Sequence, residues 1–261
     1  MTLPLAPSLL PTAKTAQWRP GLAAPARHGE IFAAADQASG AALALALALD
    51  AQRAAAPDPA AEAIRDWPDE RAWLWVQDKA ALRRGGRPYR PGLPESLRHR
   101  LIHVAVDRAE DALFALEEGL RCRDLAFVIG EIAGNPRALN FTASRRLSLA
   151  VEQHGVPLWL VRIDAARDLS SARMRWQARA APSLPPRWNA QAPGAAAWHA
   201  DLFRARGHMS GEWVLRDEAG RLAVAGEGSV GDSARAGLGL LGRAFAGAWR
   251  DKGQNTYARS A

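Results

Sequence analysis

The chain has one cysteine, Cys122, among its 261 residues. A single thiol excludes a disulfide within the chain and any zinc site built on cysteine. It stands at a helix end before an apolar strand, where a buried, inert thiol is expected. Lysine occurs only at Lys14, Lys79 and Lys252. Chemistry that needs a lysine therefore has three candidates. The six histidines are scattered, with no H-E-x-x-H or other tight ligand spacing, so no metal site is expected. No serine stands in a G-x-S-x-G elbow. The longest apolar run, Ala41 to Leu49, is too short to span a bilayer. No basic segment followed by an apolar core opens the chain, so a soluble cytoplasmic protein is expected.

What the sequence has in excess is arginine. Lysine and arginine together number 34 against 27 acids, a net charge of +7. That balance suits a polyanionic partner. Two readings of the arginine excess stand side by side: selection for a bidentate phosphate ligand, or a GC-rich genome that also supplies the many alanines.

Apolar runs mark the framework. Residues 1–27 carry Pro4, Pro7, Pro11, Pro20 and Pro25 and read as an arm or lead-in. A short apolar strand at Ile31 and Phe32 precedes a helix over Ala41–Ala54, favoured by length and Ala/Leu propensity. Buried strands are expected at Ala72–Asp78, Leu101–Val106, Leu125–Ile132 and Pro157–Ile163. Helices are expected at Glu110–Cys122, with acids at its start, and at Thr142–Gly155, with Thr142 as cap and Gly155 as stop. Such alternation gives an α/β fold, a mostly parallel sheet with helices on both faces. Ser171–Ala180, Ala197–Gly207 and a hairpin over Gly211–Val224 should extend this sheet antiparallel. Trp73, Trp75 and Trp159 are expected in the core. Residues 226–261 form a Gly/Ala-rich tail. Within it Leu240, Leu241, Phe245 and Trp249 would line one face of a docking helix, if the tail is helical rather than unstructured.

The stretch after the first strand has the spacing of a phosphate-binding loop without its chemistry. The motif G-x-x-x-x-G-K-[ST] falls on Ala35–Ala42. Gly40 survives, but Ala41 replaces the lysine and Ala42 the magnesium-binding hydroxyl. Each missing charge-assisted hydrogen bond removes roughly 1.5–3 kcal/mol of binding, and hydrolysis is not expected. Gly40 has two readings: a weak anion site at the helix N-terminus, or close helix–sheet packing.

These elements, in this order, resemble the RecA core. "WLWVQDKAAL" stands where that family has the strand ending in its water-activating Glu, here near Asp78 or Lys79. "LAFVIGEI" stands where the Walker B strand ends in Asp, here near Glu131 or Gly130. A closer resemblance is to the RecA-like ImuA family of translesion-synthesis proteins. It is carried by "EEGLRC", "VIGEI", "LNFTASRRLSLAVEQHGVPLWLVR", "SSARMRWQARAAPS" and "WHADLFRARGHMSGEWVLRDEAGRL", roughly over residues 28–222. The resemblance implies a RecA-like core over 28–225 with a degenerate nucleotide site and no cofactor. It further implies a non-catalytic role in DNA-damage-induced mutagenesis. The implied partners are RecA, an ImuB-like Y-family protein and an error-prone C-family DNA polymerase. SulA-like inhibition of cell division is the alternative, and an active RecA-paralogue ATPase a more distant one.

Single-stranded DNA is a further expected partner. Arg145 and Arg146 lie near the place of the family's first DNA-contacting loop. Arg173, Arg175 and Trp176, then Arg204 and Arg206, offer guanidiniums with a nearby indole, suited to gripping phosphates and stacking on bases. The competing reading is a solvated arginine edge with tryptophan in the core. The segment Asp164–Ser171 is shorter than a recombinase's second DNA-binding loop, which argues against strand exchange by this chain alone.

Overall fold

The computed structural model describes residues 17–22, 27–55, 69–186, 188–189, 191–218 and 221–225. Nine strands form one sheet: β1 (His28–Ala33), β2 (Ala72–Asp78), β3 (Leu101–Val106), β4 (Leu125–Ala133), β5 (Leu158–Ile163), β6 (Met174–Ala180), β7 (Ala197–Ala205), β8 (Gly211–Glu218) and β9 (Arg221–Val224). Their order across the sheet is β3-β2-β4-β5-β1-β6-β7-β8-β9. The fold is therefore α/β, with a mostly parallel sheet and antiparallel C-terminal strands.

The helices are α1 (Ser39–Ala54), α2 (Lys79–Gly85), α3 (Glu95–Arg98), α4 (Ala109–Arg121) and α5 (Phe141–His154). Helix α1 packs on one face of the sheet, against Ile31, Ala33, Trp159, Val161 and Trp176. Helices α4 and α5 pack on the other, against Leu74, Val76, Val128, Leu158 and Leu160. Strands covered on both faces need apolar side chains at successive positions, not alternate ones. That is why β2, β4 and β5 read as unbroken apolar runs. Trp73, Trp75 and Trp159 lie in the core as expected.

Four local expectations are corrected. Strand β6 runs parallel to β1, with Glu30 opposite Arg175; the antiparallel part begins only at β7. Helix α5 is capped by Asn140, whose Oδ1 accepts from the Ala143 N–H at 3.0 Å, and not by Thr142. Its other end is as expected, with Gly155 at φ 76°. Cys122 is exposed, because the chain leaves α4 there before β4 begins. The Pro-rich lead also enters the core: Trp18 is buried, its ring 4.7 Å from that of Trp176 and 5.2 Å from that of Trp213. The tail residues Leu240, Leu241, Phe245 and Trp249 lie outside the described residues.

Two groups contribute opposing terms to the pH dependence of folding: His28, which is buried, and Asp50, which is half-buried. Burial holds the His28 pKa at about 4, aided by Arg175 and Arg162 and opposed by Glu30. An unfolded histidine titrates near ~6.5, so His28 withdraws about 3 kcal/mol of stability as pH falls from ~6.5 to ~4. Burial raises Asp50 to about 6, against the Gly21 N–H it accepts and the nearby Arg53. The folded state then holds the proton more tightly, and about 3 kcal/mol is lost as pH rises from ~4 to ~6. These two slopes oppose each other over the same range. Asp50→Asn keeps an acceptor for Gly21 and removes one slope. Urea melts should show the variant about 2–3 kcal/mol more stable than wild type at pH 7 and equal to it near ~4. Parallel pH profiles for the two proteins would contradict this.

Candidate functional site

In open α/β sheets ligands bind beyond the carboxyl ends of the strands, where connections diverge in direction. Here that crevice lies between β5 and β1. Strand β1 ends at Ala33, residues 34–38 form a loop, and α1 starts at Ser39. This strand–loop–helix is the context a phosphate-binding loop requires.

Its chemistry is turned inward. The Ala35 N–H donates to Asp164 Oδ1 at 2.9 Å, so a carboxylate of the chain occupies an amide of this loop. The other Asp164 oxygen pairs with Arg84 of α2. Asp164 itself has φ 48°, a left-handed conformation that aspartate tolerates better than most residues. Gln37 Oε1 accepts from the Ala180 N–H at 2.8 Å and ties the loop to the end of β6. Gly40 serves packing: a Cβ there would stand 2.7 Å from Ala33 Cβ and 2.9 Å from Val161 Cγ1. Ala41 and Ala42 follow, both packed against the core. Lys79 is no substitute for the missing lysine, because its Nζ pairs with Asp107 at 2.6 Å.

The two acids at the supporting positions are also committed. Asp78 caps α2, its Oδ1 accepting from the Ala81 N–H at 2.6 Å. Glu131 is buried and accepts from Trp75 Nε1 at 2.9 Å and Gln77 Nε2 at 3.0 Å. Burial raises both carboxyls, more than their donors lower them. The Gln77 oxygen in turn meets His103 Nε2 at 2.8 Å. Glu131 thus pins β2 to β4.

The arginines expected to contact DNA do not form one surface. Arg145 and Arg146 are exposed in the first half of α5, with Arg146 reaching Glu117 at 2.7 Å. Arg173 and Arg206 meet at the opposite end of the strands: the Arg206 N–H donates to Arg173 O at 2.8 Å. Arg173 pairs with Glu152 at 2.5 Å. Arg27, which sequence reasoning missed, joins them by donating to Arg206 O at 3.2 Å. Arg204 is exposed and lies opposite Arg175 in the register of β6 and β7. Arg175 and Trp176 belong to the interior, which corrects their assignment to a DNA surface. Arg175 is 4% exposed and its Nε donates to Glu30 Oε2 at 2.7 Å. Trp176 is 0% exposed, on the α1 face of the sheet. Neither side chain is placed to touch a nucleic acid.

Beneath α5 a row of serines ties the site's underside together. Ser170 Oγ donates to Glu30 Oε1 at 2.7 Å. Contacts then run from Ser170 to Ser144 at 2.8 Å, to Ser171 at 3.1 Å, to Ser148 at 2.6 Å and to His28 Nδ1 at 2.9 Å. A carboxylate only accepts, so the Ser170 hydroxyl donates to Glu30; the directions of the other contacts follow from which ring nitrogen of His28 carries its proton. Arg84 and the serines left weak marks in the sequence. Arg162 left a clear one, as a charge within the apolar run "LWLVRI".

No family model matches this chain, and no curated protein matches it significantly. Among the described residues, no helix is long and apolar enough to cross a membrane.

Proposed function

We propose that this protein acts without ATP, as a RecA-like accessory protein of damage-induced translesion synthesis. That is the role implied by its resemblance to the ImuA family. The observation that carries the reading is the β1–loop–α1 unit in mid-sheet. It has the form of a phosphate-binding loop, while Asp164 takes its amide, Gly40 serves packing, and lysine and hydroxyl are replaced by Ala41 and Ala42. Such a unit retains a scaffold for partners and lacks the groups that position phosphates and magnesium for phosphoryl transfer.

In this role the protein couples RecA on single-stranded DNA to an assembly of the ImuB-like Y-family protein and the error-prone C-family polymerase. Arg145 and Arg146, exposed on α5, supply the contact with single-stranded DNA. Binding of labelled oligothymidylate should weaken in Arg145→Glu/Arg146→Glu, and the salt slope should fall by roughly 0.7 for every phosphate that the variant no longer neutralises. Unchanged affinity and slope would remove this surface from the account. In cells, loss of the protein should abolish damage-induced mutagenesis while division stays normal. Filamentous growth on expression, with mutagenesis intact, would favour the SulA-like alternative instead.

A further inference from the structure

Arg162 lies in β5 and is 2% exposed. A buried guanidinium normally faces a carboxylate, because an uncompensated buried charge is strongly destabilising. Arg162 forms no ion pair among the described residues. Its Nη2 donates to Gly134 O and Asn135 Oδ1, each at 3.2 Å, and its Nε donates to nothing. Glu30 and Asp168 act on it through space. Glu30 is already committed, with one oxygen to Ser170 and the other to Arg175. Arg175 has an idle group as well, since its buried Nη2 has no partner. Two buried guanidiniums thus share one buried carboxylate.

Aromatic rings interleave with the arginines. Arg162 lies 5.6 Å from the centre of the Phe32 ring, and Arg175 lies 5.1 Å from Phe32 and 5.4 Å from Phe203. Arg167 lies 3.8 Å from Phe203, with its side chain 45% exposed. The series runs from the interior to the surface beneath loop 164–173. It sits on the sheet face opposite α1 and is built from different side chains than the β1–α1 loop.

We propose that the buried guanidiniums of Arg162 and Arg175, with their idle N–H groups beneath loop 164–173, form a binding site for a phosphate group. Guanidinium forks match phosphate geometry, and charge-assisted hydrogen bonds to phosphate are the strong ones. A phosphate would balance the surplus buried charge, and Arg167 marks its route from solvent. The ligand is inorganic phosphate: guanidiniums that are 2% and 4% exposed lie out of reach of a nucleic-acid strand.

Thermal melts of wild type and Arg162→Met, in sodium phosphate against sodium chloride at equal ionic strength, test this. At ten times the Kd, phosphate should raise the wild-type Tm by about 3–6 °C. Arg162→Met should gain none of that rise. No rise in wild type, or equal rises in both proteins, overturns the proposal. Should Arg162→Met fail to fold, ³¹P line widths of phosphate titrated with wild type decide: saturable broadening supports the site, and linear broadening overturns it.

Discussion

Arg175→Ala should destabilise the protein by about 3–5 kcal/mol, the magnitude for breaking one side of a buried ion pair. Glu30 is 1% exposed and would keep only the Ser170 hydroxyl. The guanidinium between Phe32 and Phe203 would be removed as well. Removing both charges in Glu30→Met/Arg175→Met should recover only part of the loss. Glu30 also offsets Arg162, whose charge remains buried. Urea unfolding followed by tryptophan fluorescence gives both values. If Arg175 instead belonged to a solvated edge, its replacement would change stability by no more than about 0.5 kcal/mol.

Trp18→Ala should cost about 3–5 kcal/mol, as for other large buried aromatics. Trp18 is 6% exposed and closes a group of three indoles with Trp176 and Trp213. At about 2–4 °C per kcal/mol for a domain of this size, the Tm should fall by roughly 6–20 °C. The same segment is anchored by the Gly21 N–H, which donates to Asp50 at 2.9 Å. A loose lead-in predicts no measurable change, so calorimetry of this one variant separates the two views of residues 17–22.

The framework was legible because its signals are local. A strand covered on both faces is an apolar run, as in β2, β4 and β5, each placed within one or two residues; β3 was placed too, but it is the sheet's edge and not the buried strand expected, with Ile102 47% exposed. The direction of β6 was not legible. Parallel strands usually need a longer, helical crossover, whereas β5 and β6, on either side of β1, are joined by residues 164–173 alone. A short connection without a helix reads as a return strand. The burial of Arg175 was hidden for a related reason. Its partner Glu30 lies 145 positions away in sequence, and "RMRWQAR" alternates without saying which side is solvated. Here Arg175 and Trp176 are buried on their two sides of the strand, while Arg179 further along is exposed. For the β1–α1 loop the sequence showed what is missing. That Asp164 would fill the amide depended on a contact between β5 and β1 that no spacing encodes.

The β1–α1 loop, on this account, no longer holds a nucleotide. Without the lysine and the magnesium-binding hydroxyl, binding is weaker by roughly 1.5–3 kcal/mol for each group, and Asp164 occupies an amide that remains. The most direct measurement is equilibrium binding of fluorescent MgATP to the purified chain, with phosphate release followed in parallel, with and without single-stranded DNA. The account predicts no magnesium-dependent binding up to about 1 mM nucleotide and no phosphate release above a buffer control. Saturable micromolar binding that requires magnesium and persists in Arg162→Met, or turnover stimulated by DNA, would contradict it.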